Sequence, residues 1–110
     1  MDVEPLLREL SRSSDLAPFR RLIEPLLVYD RERRSDLVRT LGVYLAAGAN
    51  SSEAADRLFL HRNSMLYRLE RIRKLSGLDL RNSRVRLALR LGLLSVDEQE
   101  RNPDDETEHP

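Results

Sequence analysis

A chain of 110 residues with 40% apolar and 35% charged side chains has room for one small domain with its own core and a heavily solvated surface. It holds no cysteine, which excludes disulfides and thiolate metal sites, and no run approaching the roughly 20 apolar residues that span a bilayer. The formal net charge of zero hides an asymmetry: residues 61–90 carry nine Lys or Arg against two acids, whereas 97–110 carry seven acids against Arg101.

Gly and Pro are scarce and Leu is abundant, a mix that favours helices. Val3, Leu6, Leu7 and Leu10 fall at helical spacing and predict one short amphipathic helix, followed by a polar break over 11–14. A second helix is expected to begin near Ala17 and Pro18, since proline suits a first turn. Its apolar face is Phe19, Leu22, Ile23, Leu26 and Leu27, and Pro25 should end or kink it near Ile23 or Glu24. Residues 29–34 then read as a charged connector.

Ser35 is the expected N-cap of a third helix, whose stripe is Leu37, Val38, Leu41, Tyr44 and Leu45. Gly48 stands where a helix takes a left-handed residue, so the stop belongs near Ala47. Asn50 caps a short fourth helix, with Glu53 three positions on as in a capping box. That helix turns Ala54, Ala55 and Leu58 inward, and the two alanines let a neighbour pack close.

A fifth helix is expected over 62–75. Met65, Leu69 and Ile72 share one arc, while Asn63, Ser64, Tyr67, Arg71 and Lys74 lie opposite, with Arg68 on the flank. Gly77 supplies the stop and Leu78 the apolar residue that folds back. A last helix should start after Asn82 or Ser83. Its Val85, Leu87, Ala88, Leu89, Leu91, Leu93 and Leu94 go nearly all the way round, so it is either central to the core or covered by a partner subunit. Residues 97–110, rich in acids, are expected to be disordered. The expectation is an all-α fold of five to six short helices around a helix-turn-helix, with no sheet. Its divisions are leading helices at 1–34, the helix-turn-helix domain at 35–96 and the acidic tail at 97–110.

Two consecutive helices, one bracing and one basic, form the layout of a major-groove reader. Such a helix needs cations for phosphates and forked donors for base edges. Asn63 and Ser64 occupy the first turn, and Tyr67, Arg68 and Arg71 follow along the same face. Arg68 and Arg71 are expected to supply much of the affinity, with Asn63, Ser64 and Tyr67 shaping specificity. Lys74 and Arg73 lie further along toward phosphate, and Ser51 and Ser52 open the bracing helix beside a phosphate. Alternatives stand at single positions: Asn63 as a helix-start residue, Tyr67 as a half-buried packing residue, Arg62 as a partner of Glu53 or Asp56 rather than of phosphate. His61 reads as a helix-start or turn residue. No catalytic residue, metal site or cofactor is expected, because no His/carboxylate cluster or glycine-rich phosphate loop is present. The alternative function is a helical protein–protein interaction or dimerisation module whose basic face is merely solvated.

The run Tyr44-Leu45…Gly48-Ala49-Asn50…Ala54-Ala55…Leu58…His61-Arg62-Asn63-Ser64…Tyr67-Arg68-Leu69…Ile72…Gly77-Leu78-Asp79-Leu80 resembles the C-terminal helix-turn-helix domain of the PucR/CdaR family of bacterial transcriptional regulators. The resemblance covers about residues 35–94, and Met65 departs from it where the family more often has Leu. It implies sequence-specific binding of double-stranded DNA in the bacterial cytoplasm, at the nucleoid, with no membrane association. It also implies an upstream sensory domain in full-length relatives, so the chain is expected to be a fragment of a longer regulator or a stand-alone DNA-binding protein. The matching recognition-helix residues are His61, Arg62, Asn63, Ser64, Tyr67 and Arg68. A homodimer on a two-fold-related site is expected from the apolar last helix and the general need for two half-sites. The acidic tail is expected to compete with DNA for the basic face.

Overall fold

The computed structural model describes the backbone of residues 1–108 and the side chains of residues 1–96. Helix α1 spans Glu4–Ser11, a 3₁₀ turn spans Ser14–Leu16, and α2 spans Ala17–Arg33. Then follow α3 (Leu37–Ala46), α4 (Ser51–Arg57), α5 (Arg62–Ser76) and α6 (Ser83–Glu108). No strand occurs among the described residues, so the chain is all-α. None of their helices is long and apolar enough to cross a membrane.

One core joins these elements. Ile23 and Leu26 from α2, Leu41 from α3, Met65 and Ile72 from α5, and Leu89 from α6 are all fully buried in it. The leading segment therefore contributes to the same core as the helix-turn-helix. Ala54 and Ala55 of α4 are buried as their small size suggests, and α4 packs on both α3 and α5.

The most intimate pairing is α2 with α6, and Gly92 explains how close it is. A Cβ there would lie 2.8 Å from Ile23 Cγ1 and would overlap the Phe19 carbonyl oxygen. The apolar circumference of α6 has its reason within the chain. Packed between α1, α2 and α3, it buries Leu89 and Val96 and half-buries Leu91, Leu93 and Leu94, leaving Leu87 exposed. Of the two settings weighed for this helix, the central one is present.

Several local expectations are corrected. Pro25 neither ends α2 nor frees 29–34 as a connector, because the helix continues through both to Arg33. Pro25 and Arg21 are exposed, so the Arg21 carbonyl that loses its helical donor faces water. Burial of Ile23 and Leu26, about 1.5–3 kcal/mol each, offsets the roughly 3 kcal/mol that an interior proline costs. Ser35 does not cap α3. The Asp30 carboxylate of α2 does so, accepting from the Leu37 and Val38 N–H groups at 2.8 and 3.0 Å and from the Ser35 hydroxyl. The capping box of α4 is half made: Asn50 Oδ1 accepts from the Glu53 N–H at 3.0 Å, but the Glu53 carboxylate pairs with Arg57 instead. Helix α6 extends past the expected limit near residue 96 to Glu108. The backbone of 97–108 is thus helical where disorder was expected, while the expected competition of the acidic tail with DNA concerns side chains at 97–110, which lie outside the described residues.

Candidate nucleic-acid interface

The turn between α4 and α5 takes Phe59 through a left-handed conformation (φ 55°), with its side chain 94% exposed. The Leu60 N–H donates to the Ala55 carbonyl, holding the turn against the brace. His61 then caps α5, its Nδ1 accepting from the Asn63 N–H at 3.1 Å. At the other end Gly77 (φ 71°) donates to the Arg73 carbonyl at 2.8 Å, the left-handed stop its position predicts. Met65 and Ile72 turn fully inward, and Leu69 is half-buried. This fixes the rotation of α5 about its axis, and hence which polar side chains face out.

Those side chains form one wall of an open cleft of about 760 Å³: Asn63, Ser64, Tyr67, Arg68 and Arg71. The facing wall is the corner between α2 and α3, made of Tyr29, Arg34, Ser35, Asp36 and Leu37. Five of the nine residues anticipated from the sequence are thus gathered in one place. Ser51 is half-buried and Ser52 exposed on the first turn of α4; Arg62 and Lys74 are exposed toward the two ends of α5. None of these four lines the cleft. The corner residues were missed because their only local signature is a charged stretch that reads as a connector.

Charge on this face is divided between paired and available cations. The Arg68 guanidinium donates to the Asp36 carboxylate and, at 3.1 Å, to the hydroxyl of the buried Thr40. It is 29% exposed and ties α5 to α3, a commitment invisible to helical spacing alone. Arg57 is paired with Glu53 and Arg73 with Glu70. The Glu53 partner weighed for Arg62 is therefore taken by Arg57.

Arg71 is differently placed. Its guanidinium donates to the Tyr67 hydroxyl at 2.7 Å and sits 5.4 Å from the Tyr67 ring centre and 5.9 Å from that of Tyr29. Stacking between two aromatic faces restrains the side chain without cancelling its charge. The hydrogen bond from Arg71, and then its positive charge, hold the Tyr67 phenol below its ordinary pKa; the same bond raises that of Arg71. Tyr67 is 61% exposed, so its ring is a surface group rather than core packing.

Comparison with known proteins identifies the family. The family profile of the PucR C-terminal helix-turn-helix domain matches residues 37–95, more than half of the chain. The chain is 38% identical over 92 residues to the purine catabolism regulatory protein of Bacillus subtilis, covering 84% of this chain and 17% of that protein. It is 35% identical over 65 residues to the proline-responsive transcriptional activator PutR of Bacillus subtilis, covering 59% and 16%. It is 41% identical over 63 residues to the carbohydrate diacid regulator of Escherichia coli, covering 57% and 16%. The chain spans about a sixth of the length of these relatives. No solved structure matches it significantly. With the matched segment running from α3 into α6 and enclosing both helices of the motif, the chain belongs to the PucR C-terminal helix-turn-helix domain family, a family of transcriptional regulators.

Proposed function

We propose that this domain binds duplex DNA sequence-specifically, with α5 in the major groove, as the output module of a bacterial transcriptional regulator. The observation that carries this reading is the gathering of Asn63, Ser64, Tyr67, Arg68 and Arg71 on one open wall while Met65 and Ile72 anchor the opposite side of the helix. Asn63 and Ser64 sit in the first turn, where a recognition helix meets base edges, and their side chains are exposed. Tyr67 and the restrained Arg71 follow along the same face. Arg68 contributes mainly by fixing α5 against α3 through Asp36 and Thr40. Arg62, Lys74, Ser51 and Ser52 are assigned to phosphates on either side of the groove. The relatives' names refer to purine catabolism, proline and carbohydrate diacids, three different regulatory settings.

Selection of bound sequences from random duplexes tests the reading. A recovered consensus, lost on Asn63→Ala while binding to mixed-sequence DNA persists, is the expected result. Enrichment of no sequence at all would refute specific recognition.

A second reading has its own observation. Val3, at the cap of α1, and Leu6, Leu7 and Leu10 within it remain exposed, an open apolar stripe that a protein interaction module would use. Two copies pairing through it would also present two reading helices to a two-fold-related site. Failure of the chain to be retained on any duplex at low salt would favour the interaction module alone.

A further inference from the structure

The corner between α2 and α3 carries one cation that the groove-reading account has not used. Arg34 ends α2 in a left-handed conformation, with φ 53° and ψ 44°. That position favours glycine, and an L side chain there is strained. The residue is nonetheless an arginine, exposed, on the wall of the cleft that faces Asn63, Ser64 and Tyr67. Among the described residues its guanidinium has no ion-pair or hydrogen-bond partner, in contrast to Arg57, Arg68 and Arg73. The left-handed turn serves the backbone, whose Arg34 N–H donates to the Asp30 carbonyl, but glycine would serve it as well, and the arginine side chain makes no internal contact. Strained residues cluster at ligand-binding sites, and this one stands at the edge of the cleft.

Its surroundings suit an anion. Asp36, the one acid on the cleft among the described residues, is held by Arg68 and lies 3.6 Å from Arg39, so its charge is met from two sides. With Arg34, Arg68 and Arg71 against Asp36, the lining carries a positive excess. A helix seated in a major groove is flanked by the sugar-phosphate ridges of both strands. The wall that rises beside its reading face has to meet one of them.

We propose that Arg34 contacts a DNA phosphodiester on the strand flanking the groove read by α5, making the α2–α3 corner a second DNA-contact element. This inference rests on the groove-binding reading above. The contact is positional: it sets register and affinity and carries no base preference.

Arg34→Gly tests it, because glycine relieves the left-handed backbone while removing the cation. The probes are a labelled mixed-sequence duplex and a duplex recovered by selection, each titrated over a range of salt. The expected result is a thermal midpoint equal to or above that of the wild type. Affinity should be about fivefold to tenfold weaker on both duplexes, with a slope of log affinity against log salt shallower by about 0.9. Arg34→Lys, which keeps the charge, should restore most of both. Wild-type affinity and slope in Arg34→Gly overturn the corner contact alone. A fall in midpoint and affinity together, not rescued by Lys, overturns it in favour of a structural role. A wild-type chain that binds neither duplex overturns the groove-binding reading and the corner contact with it.

Discussion

Glycines 42 and 92 both lie inside helices, yet alanine at the two positions is expected to change stability in opposite directions. At Gly92 a Cβ would stand 2.8 Å from Ile23 Cγ1 and overlap the Phe19 carbonyl oxygen, against an ordinary contact beginning near 3.4 Å. Backbone cannot rotate away as a side-chain tip can. Interiors are close-packed, so α2 and α6 would have to separate by on the order of 1 Å. Overpacking of that kind costs about 2–3 kcal/mol, and the helix propensity gained by Ala over Gly returns about 1 kcal/mol. Gly92→Ala should therefore destabilise by about 1–2 kcal/mol. Gly42 has no atom within 4 Å of its Cβ direction, so Gly42→Ala should keep the propensity gain and stabilise by up to about 1 kcal/mol. Urea unfolding followed by far-ultraviolet circular dichroism reads both. A Gly92→Ala chain as stable as wild type would refute the α2–α6 crossing, and with it the placement of the α2 C-terminus beside α5.

Three further outcomes are expected. In a double-mutant cycle, Asp36→Ala and Arg68→Ala should couple by about 1–2 kcal/mol in unfolding free energy, between the values for exposed and buried pairs, because both side chains are only part-buried; additive effects would remove the tie between α3 and α5. Pro25→Ala should stabilise by about 1–3 kcal/mol, since it restores a helical donor at an exposed site, and a loss of thermal midpoint would show that Pro25 has a packing role instead. In an ultraviolet alkaline titration, one tyrosine should ionise below the ordinary phenol value, and Arg71→Ala should move that step upward. No change on Arg71→Ala would dissociate the Tyr67–Arg71 pair.

What was legible in the sequence was what neighbours in sequence decide. The caps at Asn50 and Asn82, the left-handed Gly48 and Gly77, and the inward arc of Met65 and Ile72 all follow from residue type and helical period, and each is present. What was not legible depended on distant partners. Pro25 reads as a breaker until α6 packs against the turns around it. Asp30, rather than the adjacent Ser35, caps α3 because the end of α2 delivers its carboxylate from seven and eight residues away. Arg68 reads as a free groove-facing cation until Asp36 and Thr40, 32 and 28 residues earlier, are brought to it. The outward face of α5 was thus visible as a helical stripe, whereas the opposite wall of the cleft needed the tertiary fold.

The central claim is that α5 and its flanks neutralise DNA phosphates, and the dependence of duplex affinity on salt tests it most directly. Arg34, Arg62, Arg71 and Lys74 are the cations assigned to DNA in this account. Releasing a counterion at each predicts a linear fall of log affinity with log salt, with a slope of about −3 to −4 per chain. A slope near zero, or no retention on duplex DNA at low salt, would contradict the account.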